Sequence, residues 1–127
     1  MSYEVRGTIL GFEDITSVDI HKVDDLFSTI HDVNNKNITL SIANPYSLRE
    51  YSFDLPLDIK ILLEIDENSN VDVYNIVVIR QPLENSTVNF LAPIIINNDN
   101  NKLAQAVLDP KKHPDFGMTE EIKSFAH

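Results

Sequence analysis

The sequence predicts a mainly β fold: a small antiparallel β-barrel-like or sandwich domain with one or two short helices. Three observations carry that expectation. The chain has 15 Ile and 10 Val against 5 Ala, and branching at Cβ favours a pleated surface over a helix. Several windows alternate apolar and polar residues with period two. Two further segments are apolar on both faces, as strands covered on both sides would be.

Taken in order, Tyr3, Val5 and Ile9 alternate with Glu4, Arg6 and Thr8, and Ile38, Leu40 and Ile42 with Asn37, Thr39 and Ser41. Each window predicts a half-buried strand. Residues 18–23, 26–31 and 103–108 are further strand candidates, the last following the turn-like run of residues 97–101. Residues 71–79 and 88–96 are the segments apolar on both faces. Residues 55–65 predict a helix that could cover one of them, with Pro56 in its first turn and Leu55, Ile59, Leu62 and Leu63 on one side. Residues 118–125 predict a second, short helix. Thr119 would cap it, Glu120 and Glu121 would suit its positive end, and Met118, Ile122 and Phe125 would form its apolar stripe. Such a tail either docks on the domain or waits for a partner. Seven or so strands with helices that do not alternate with them fit a barrel or sandwich better than a doubly wound sheet. With no Gly/Ser linker or repeat, the expectation is one domain over residues 1–127, residues 109–127 forming a C-terminal tail.

Composition excludes several classes. With 10 Lys+Arg against 20 Asp+Glu the formal net charge is −10. Such a field repels phosphate, which argues against direct nucleic-acid binding and favours neutral or basic partners. There is no Cys, so disulfides, thiolate metal sites and Cys nucleophiles are ruled out. The longest apolar run, Phe90 to Ile96, has 7 residues, where a membrane-spanning helix needs about 20. No secretory signal pattern opens the chain. The expected location is therefore the cytoplasm, without membrane association, and the sequons at Asn37 and Asn85 are chance matches.

Catalytic signatures are missing as well. There is no G-x-S-x-G, no phosphate-cradling glycine loop and no H-E-x-x-H. His21, His31, His113 and His127 are scattered singly and read as surface residues. The pairs Asp24-Asp25 and Glu120-Glu121 read as solvated acids rather than an acid/base couple. Residues 66–72 place oxygen ligands at the first, third and fifth positions of an EF-hand loop, but Val71 stands where the sharp turn needs Gly, and Val77 where the loop needs Glu. This stretch reads as a turn between the helix and the next strand. The expectation is a protein that is not an enzyme and carries no cofactor or metal.

The stretch from Ser86 to Asn97, S-T-V-N-F-L-A-P-I-I-I-N, resembles the signature T-V-N-L-L-A-P-I-V-I-N of the FliW family of flagellar assembly factors. Other pieces follow in family order: Ile9-Leu10-Gly11-Phe12-Glu13, Ala43-Asn44-Pro45-Tyr46 with Tyr51, Val73 to Val77, and Gln105 to Leu108. The resemblance covers about residues 9 to 109. It implies a small β-barrel-like fold with a few helices and a non-enzymatic regulator. Such proteins bind flagellin and, alternatively, the RNA-binding translational repressor CsrA, so that flagellin synthesis follows flagellin level. A net charge of −10 suits an antagonist of a basic RNA-binding protein, though acidity also serves solubility alone.

The residues themselves suggest where a partner could bind. In a strand over residues 88–97, Val88, Phe90, Ala92, Ile94 and Ile96 would share one face, and Asn89, Leu91, Pro93, Ile95 and Asn97 the other. The second face is either a contact surface, since Pro93 cannot donate to a ladder and so suggests an edge or a bulge with groups free to meet another chain, or the layer beneath the helix. Asn44-Pro45-Tyr46 should turn sharply after a strand. Tyr46 then stands either exposed at a loop tip as an interface anchor or packed over the barrel mouth. The candidate partner-binding set is therefore Asn44, Pro45, Tyr46, Asn89, Leu91, Pro93, Ile95 and Asn97, in a protein that is monomeric when free. A rival reading is a small-ligand-binding barrel, which a filled interior would dispose of.

Overall fold

A computed structural model describes residues 2–125; His127 lies outside the described residues. Among the described residues nine strands follow one another as β1 (Ser2–Val5), β2 (Ser17–Lys22), β3 (Phe27–Asp32), β4 (Thr39–Ala43), β5 (Val71–Val78), β6 (Thr87–Val88), β7 (Ile94–Asn97), β8 (Lys102–Gln105) and β9 (Glu120–Glu121), with one α-helix, α1 (Leu57–Leu63), between β4 and β5. The sheet runs β4-β3-β2-β1-β8-β7-β5, and a β4–β5 pairing closes these seven strands into a barrel, with β6 and β9 continuing outward from β5. Of the two architectures the sequence left open, the barrel is realised. One of its contacts, β1 with β8, is parallel.

The interior is filled by alternate residues of successive strands. Val5, Val18, Ile30, Leu40, Ile42, Ile94, Ile96 and Leu103 form one cluster, and Ile9 and Ile15 from the β1–β2 connection close it. Side chains therefore occupy the space that a ligand-binding barrel would leave open. The first strand is shorter than its alternation predicts. Gly7 and Gly11 take φ of +74° and +85°, values that cost an L side chain strain, and the chain folds into a tight turn in which the Phe12 N–H reaches the Ile9 carbonyl at 2.8 Å.

Two further apolar layers lie outside the barrel wall, which is why β5 and β7 are apolar on both faces. On one flank α1 sets Ile59 and Leu63, one helical turn apart, against Ile95, Ala104 and Ala106. The helix is shorter than the expected 55–65. Pro56 supplies its N-cap position, and Glu64 stops it with a left-handed φ of 54°. Seven residues are too few for an isolated helix, so α1 is held by this packing and by two side-chain caps: the Nδ2 groups of Asn97 and Asn100 donate to the Leu63 carbonyl at 2.9 and 3.0 Å.

On the other flank Ala43, Leu48, Tyr51, Val77, Val88 and Phe90 form a second outer cluster, roofed by Phe116, Ile122 and Phe125 of the tail. Here the tail departs from expectation. Instead of a helix over 118–125 there is a two-residue strand, β9, antiparallel to β6, followed by a 3-10 turn over Ile122–Phe125. Glu120 is drawn away from a helical capping role. Its Oε2 accepts from the Gly117 N–H at 2.8 Å and lies 3.3 Å from Arg49 Nη1, while the Arg49 guanidinium faces the rings of Phe90, Phe116 and Phe125 at 5.1 to 5.7 Å. A half-buried cation stacked on aromatic faces thus fixes the tail as an extended strap, and Met118 is left exposed rather than in an apolar stripe.

The expected single strand over 88–96 is also corrected. It follows one edge of β5 but is broken: from Val88 to Ile94 it advances six residues while β5 advances only three, from Val77 to Tyr74. The surplus forms a wide bulge, started by Asn89, whose Oδ1 accepts from the Leu91 N–H at 3.0 Å. Two buried side chains pin it. The Tyr51 hydroxyl donates to the Phe90 carbonyl at 2.6 Å, and Asn75 Nδ2 donates to the Asn89 carbonyl at 2.8 Å and to the Tyr51 oxygen at 3.3 Å.

The histidines are not all single. The β2–β3 register puts Asp19 opposite His31 and His21 opposite Thr29, so the His21 and His31 rings meet diagonally on the outer wall with centroids 4.7 Å apart. His113 stacks on Phe116 in the tail. Residues 66–70 form the expected turn, in which Asp66 Oδ1 accepts from the Asn68 N–H at 2.8 Å, while Val71 and Asp72 already belong to β5.

Ile95 is fully buried between α1 and β5. Ile95→Ala should lower unfolding free energy by about 2–5 kcal/mol in urea titrations. Burial pushes the Tyr51 phenol up to about 12, outweighing the hydrogen bond from Asn75. Its folded pKa thus lies above the unfolded value of about 10, so the stabilisation from the protonated phenol is complete below pH about 10 and is lost as pH rises through about 12. Tyr51→Phe should cost about 1–3 kcal/mol at neutral pH, because the buried Phe90 carbonyl loses its donor. In thermal melts across pH 9–12 it should also reduce the alkaline loss, leaving the part due to other tyrosines.

Candidate partner-binding surface

The end of β4 is where the barrel wall opens. Only three residue pairs join β4 to β5, Ser41 with Val77, Ile42 with Ile76 and Ala43 with Asn75. At Asn44 the chain leaves the sheet. The Asn44 N–H still reaches back to the Leu26 carbonyl at 2.8 Å, and its Oδ1 accepts from the Tyr46 N–H at 3.0 Å, turning Pro45–Ser47 into a single 3-10 turn. This local chemistry is what Asn followed by Pro dictates. Pro45 is buried, and Tyr46 is thrown outward with 57% of its surface exposed, its ring 6.3 Å from that of Tyr51. Of the two placements open to Tyr46, the exposed one is observed.

Two shallow depressions meet at Asn44. The larger, ≈ 240 Å³, lies at the barrel mouth among Tyr3, Ile20, Leu26, Ser28 and Tyr74, with Lys22, Asp24 and Asp25 on its lip. The smaller, ≈ 100 Å³, runs between Tyr46 and residues Val71 to Tyr74 of β5. Burial, and after it the neighbouring Asp72 carboxylate, raises the phenol pKa of both Tyr46 and Tyr74. Both therefore stay protonated as hydrogen-bond donors at physiological pH. Asp72 itself is exposed and accepts from Asn98 Nδ2 at 2.9 Å. The two depressions thus combine the phenols of Tyr3, Tyr46 and Tyr74 and the carboxylates of Asp24, Asp25 and Asp72, with Lys22 as the one cation, over a mostly polar lining, a chemistry suited to a basic or polar chain rather than to an anion.

The candidate residues are distributed unevenly over this surface. Asn44 and Tyr46 form the rim. Asn89 and Leu91 are half-buried in the bulge, tied to the same neighbourhood because Tyr51 stands between the Tyr46 ring and the Phe90 carbonyl. Pro93, Ile95 and Asn97 are buried, Ile95 at 0% and Asn97 at 1% exposure. Ile95 packs on Ile59 and Leu63, and Asn97 holds the helix end and the following turn. For these two the layer beneath the helix is the reading realised. Asp72 and Tyr74 are not among the binding residues the sequence suggests, and Asp24-Asp25 reads there only as a pair of solvated acids. Tyr74 is the one aromatic in the run from Val71 to Ile79, the one sequence signal that points to it. Among the described residues no group of three His, Asp or Glu side chains could hold a metal ion, and no helix is long and apolar enough to cross a membrane.

The comparisons agree with this architecture. A family profile described as FliW protein matches residues 2–121. Flagellar assembly factor FliW 1 of Wolinella succinogenes is 47% identical over 125 residues, covering 98% of this chain and 98% of that one. Flagellar assembly factor FliW of Helicobacter pylori (strain G27) is 46% identical over 127 residues, covering 98% and 94%. Among solved structures, a crystal structure of the flagellar assembly factor FliW superposes with a TM-score of 0.86 at 21% identity, over 99% of this chain and 86% of that one, which supports the fold. The barrel, the Asn44-Pro45-Tyr46 turn and the bulged signature strand are thus features of a chain that belongs to the FliW family.

Proposed function

We propose that this protein is a non-catalytic flagellar assembly factor of the cytoplasm, folded as one domain over residues 1–127 and monomeric when free. It binds flagellin and, alternatively, the translational repressor CsrA, so that unsecreted flagellin releases the repressor and flagellin synthesis follows demand. The observation that carries this reading is the end-to-end likeness, at 47% identity, to a protein named a flagellar assembly factor.

The physical features support it. A formal charge of −10 draws a basic RNA-binding protein into encounter and, once docked, raises the cost of bringing RNA phosphates close. The rim offers Tyr46 as an amphipathic anchor next to Asp72 and Tyr74. Tyrosine in such a place gains contact area at little conformational cost and is enriched at binding hot spots. The proposed contact surface keeps Asn44, Tyr46, Asn89 and Leu91 from the sequence reading and adds Asp72 and Tyr74. Pro45, Pro93, Ile95 and Asn97 support it from inside.

Titration calorimetry with purified flagellin and with CsrA tests the reading directly; heat of binding to neither would refute it. Tyr46→Ala should weaken at least one of the two by about tenfold, the loss of roughly 1.4 kcal/mol expected for an anchor residue, while the thermal midpoint stays within about 2 °C of wild type. A large fall in that midpoint would mark the ring as structural instead. The association rate with CsrA should fall as salt is raised from about 50 to 500 mM, because screening shortens the reach of the acidic field.

A further inference from the structure

The first half of β5 is an open sheet edge. Its other edge is occupied by β7 opposite Val71 to Tyr74 and by β6 opposite Val77 and Val78, with the bulge facing Asn75 and Ile76 between them. On the β4 side, pairing stops at Asn75, because the chain turns away at Asn44-Pro45. The hydrogen-bond phase is fixed by two backbone contacts on the occupied edge: the Asn89 N–H donates to the Ile76 carbonyl at 3.1 Å and the Asn98 N–H to the Asn70 carbonyl at 2.8 Å. Antiparallel strands alternate the direction of their backbone groups residue by residue. The even-numbered residues of β5 therefore bond toward β6 and β7, and Val71 and Val73 direct their N–H and C=O groups into the gap that β4 has vacated.

That gap is the smaller depression at the rim, bounded by Asn44, Tyr46 and Asp72. An unprotected edge is ordinarily blunted by cover, by charge or by a bulge, because it templates pairing with another chain. Here β4 is cut short by Pro45 and nothing among the described residues pairs with the edge in its place. The charge beside it has one dominant sign: Asp72 on the strand itself, and Asp24 and Asp25 across the adjoining depression, with Lys22 the one cation on its lip, 3.4 Å from Asp25.

We propose that the Val71 to Tyr74 edge accepts an extended segment of a partner protein by strand addition, continuing the sheet where β4 ends. The segment carries Lys or Arg at alternate positions, so that its cations meet Asp72, Asp24 and Asp25 while its backbone pairs with Val71 and Val73. Main-chain pairing supplies the affinity of such a contact and the alternate side chains its selectivity, and Tyr46 flanks the incoming strand. The inference rests on the rim as the partner surface, but it assigns a binding mode and a ligand chemistry that do not depend on which protein supplies the segment.

The test uses the full chain labelled with 15N and a capped hexapeptide of alternating Arg and Val as probe. The basic peptide should slow amide exchange at Val71 and Val73 by at least tenfold and leave the amides of β2 and β3 unchanged. Asp72→Asn should weaken the peptide at least threefold. An alternating Glu and Val hexapeptide should have no effect, nor should the basic peptide N-methylated at alternate residues so that the edge-facing donors are removed. Unchanged exchange at Val71 and Val73 would overturn the proposal, as would diffuse shifts over the whole acidic surface or equal binding by the methylated peptide. Slowing at Val71 and Val73 together with a null calorimetric result for flagellin and CsrA would uphold strand addition while rejecting the two named partners.

Discussion

Seven strands close into a barrel through only three residue pairs between β4 and β5, and most of the remaining architecture follows from that short seam. Because β5 is longer than its partner, its second half is gripped on both edges while its first half is gripped on one. The stretch gripped on one edge becomes the rim on which Tyr46 stands and sets Val71 and Val73 against the layer under α1, while the stretch gripped on both sets Val77 in the other outer layer. Had β4 run on past Ala43, the wall would be continuous and neither depression would exist. Asn44 and Pro45 prevent that, one by bonding its own turn and the other by lacking the N–H a further ladder rung requires.

The opposite edge of β5 has the complementary problem of too much chain. The bulge between β6 and β7 inserts surplus residues, whose carbonyls would be stranded in an apolar layer unless donors reached them. Tyr51 and Asn75 do so, at the carbonyls of Phe90 and Asn89. The same Tyr51 ring touches Phe53, Phe90 and Phe116 and lies near Tyr46, so the bulge, the strap and the rim share one aromatic support. A change at the buried end of that group is transmitted to the exposed end by packing alone. The strap adds its own lock, since Arg49 needs both the rings and the Glu120 carboxylate to be satisfied in a half-buried place.

Much of the fold was legible in the residues. Period-two alternation locates β4, and the further strand candidates at residues 18–23 and 26–31 locate β2 and β3, each to within a residue or two; the helix is found from its apolar face, though two residues too long at each end, because Pro56 and the left-handed Glu64 set its limits. The signature stretch is legible as an apolar run in which Pro93 suggests an edge or a bulge, but the size of that bulge is not. Period-two reading assumes that each residue advances one rung, and nothing in residues 89–93 states that three rungs of β5 will face six residues. The tail failed for a related reason: its helical stripe is real in sequence, but Phe116, Ile122 and Phe125 are recruited one by one to a flank formed by residues far away in the chain.

The sequence by itself determined the β class, the acidic field, the absence of thiol chemistry and the turn at Asn44-Pro45-Tyr46, because each depends on residue type and near neighbours. Only the tertiary structure decided that the sheet closes, that Ile95 and Asn97 serve the layer beneath α1, and that Asp72 and Tyr74 gather beside Tyr46 while Asp24 and Asp25 face Asn44 from the adjoining depression. Those are consequences of register between strands distant in the chain. Register is fixed by which buried side chains fill a common interior, and pairing of that kind leaves no mark on either strand read alone.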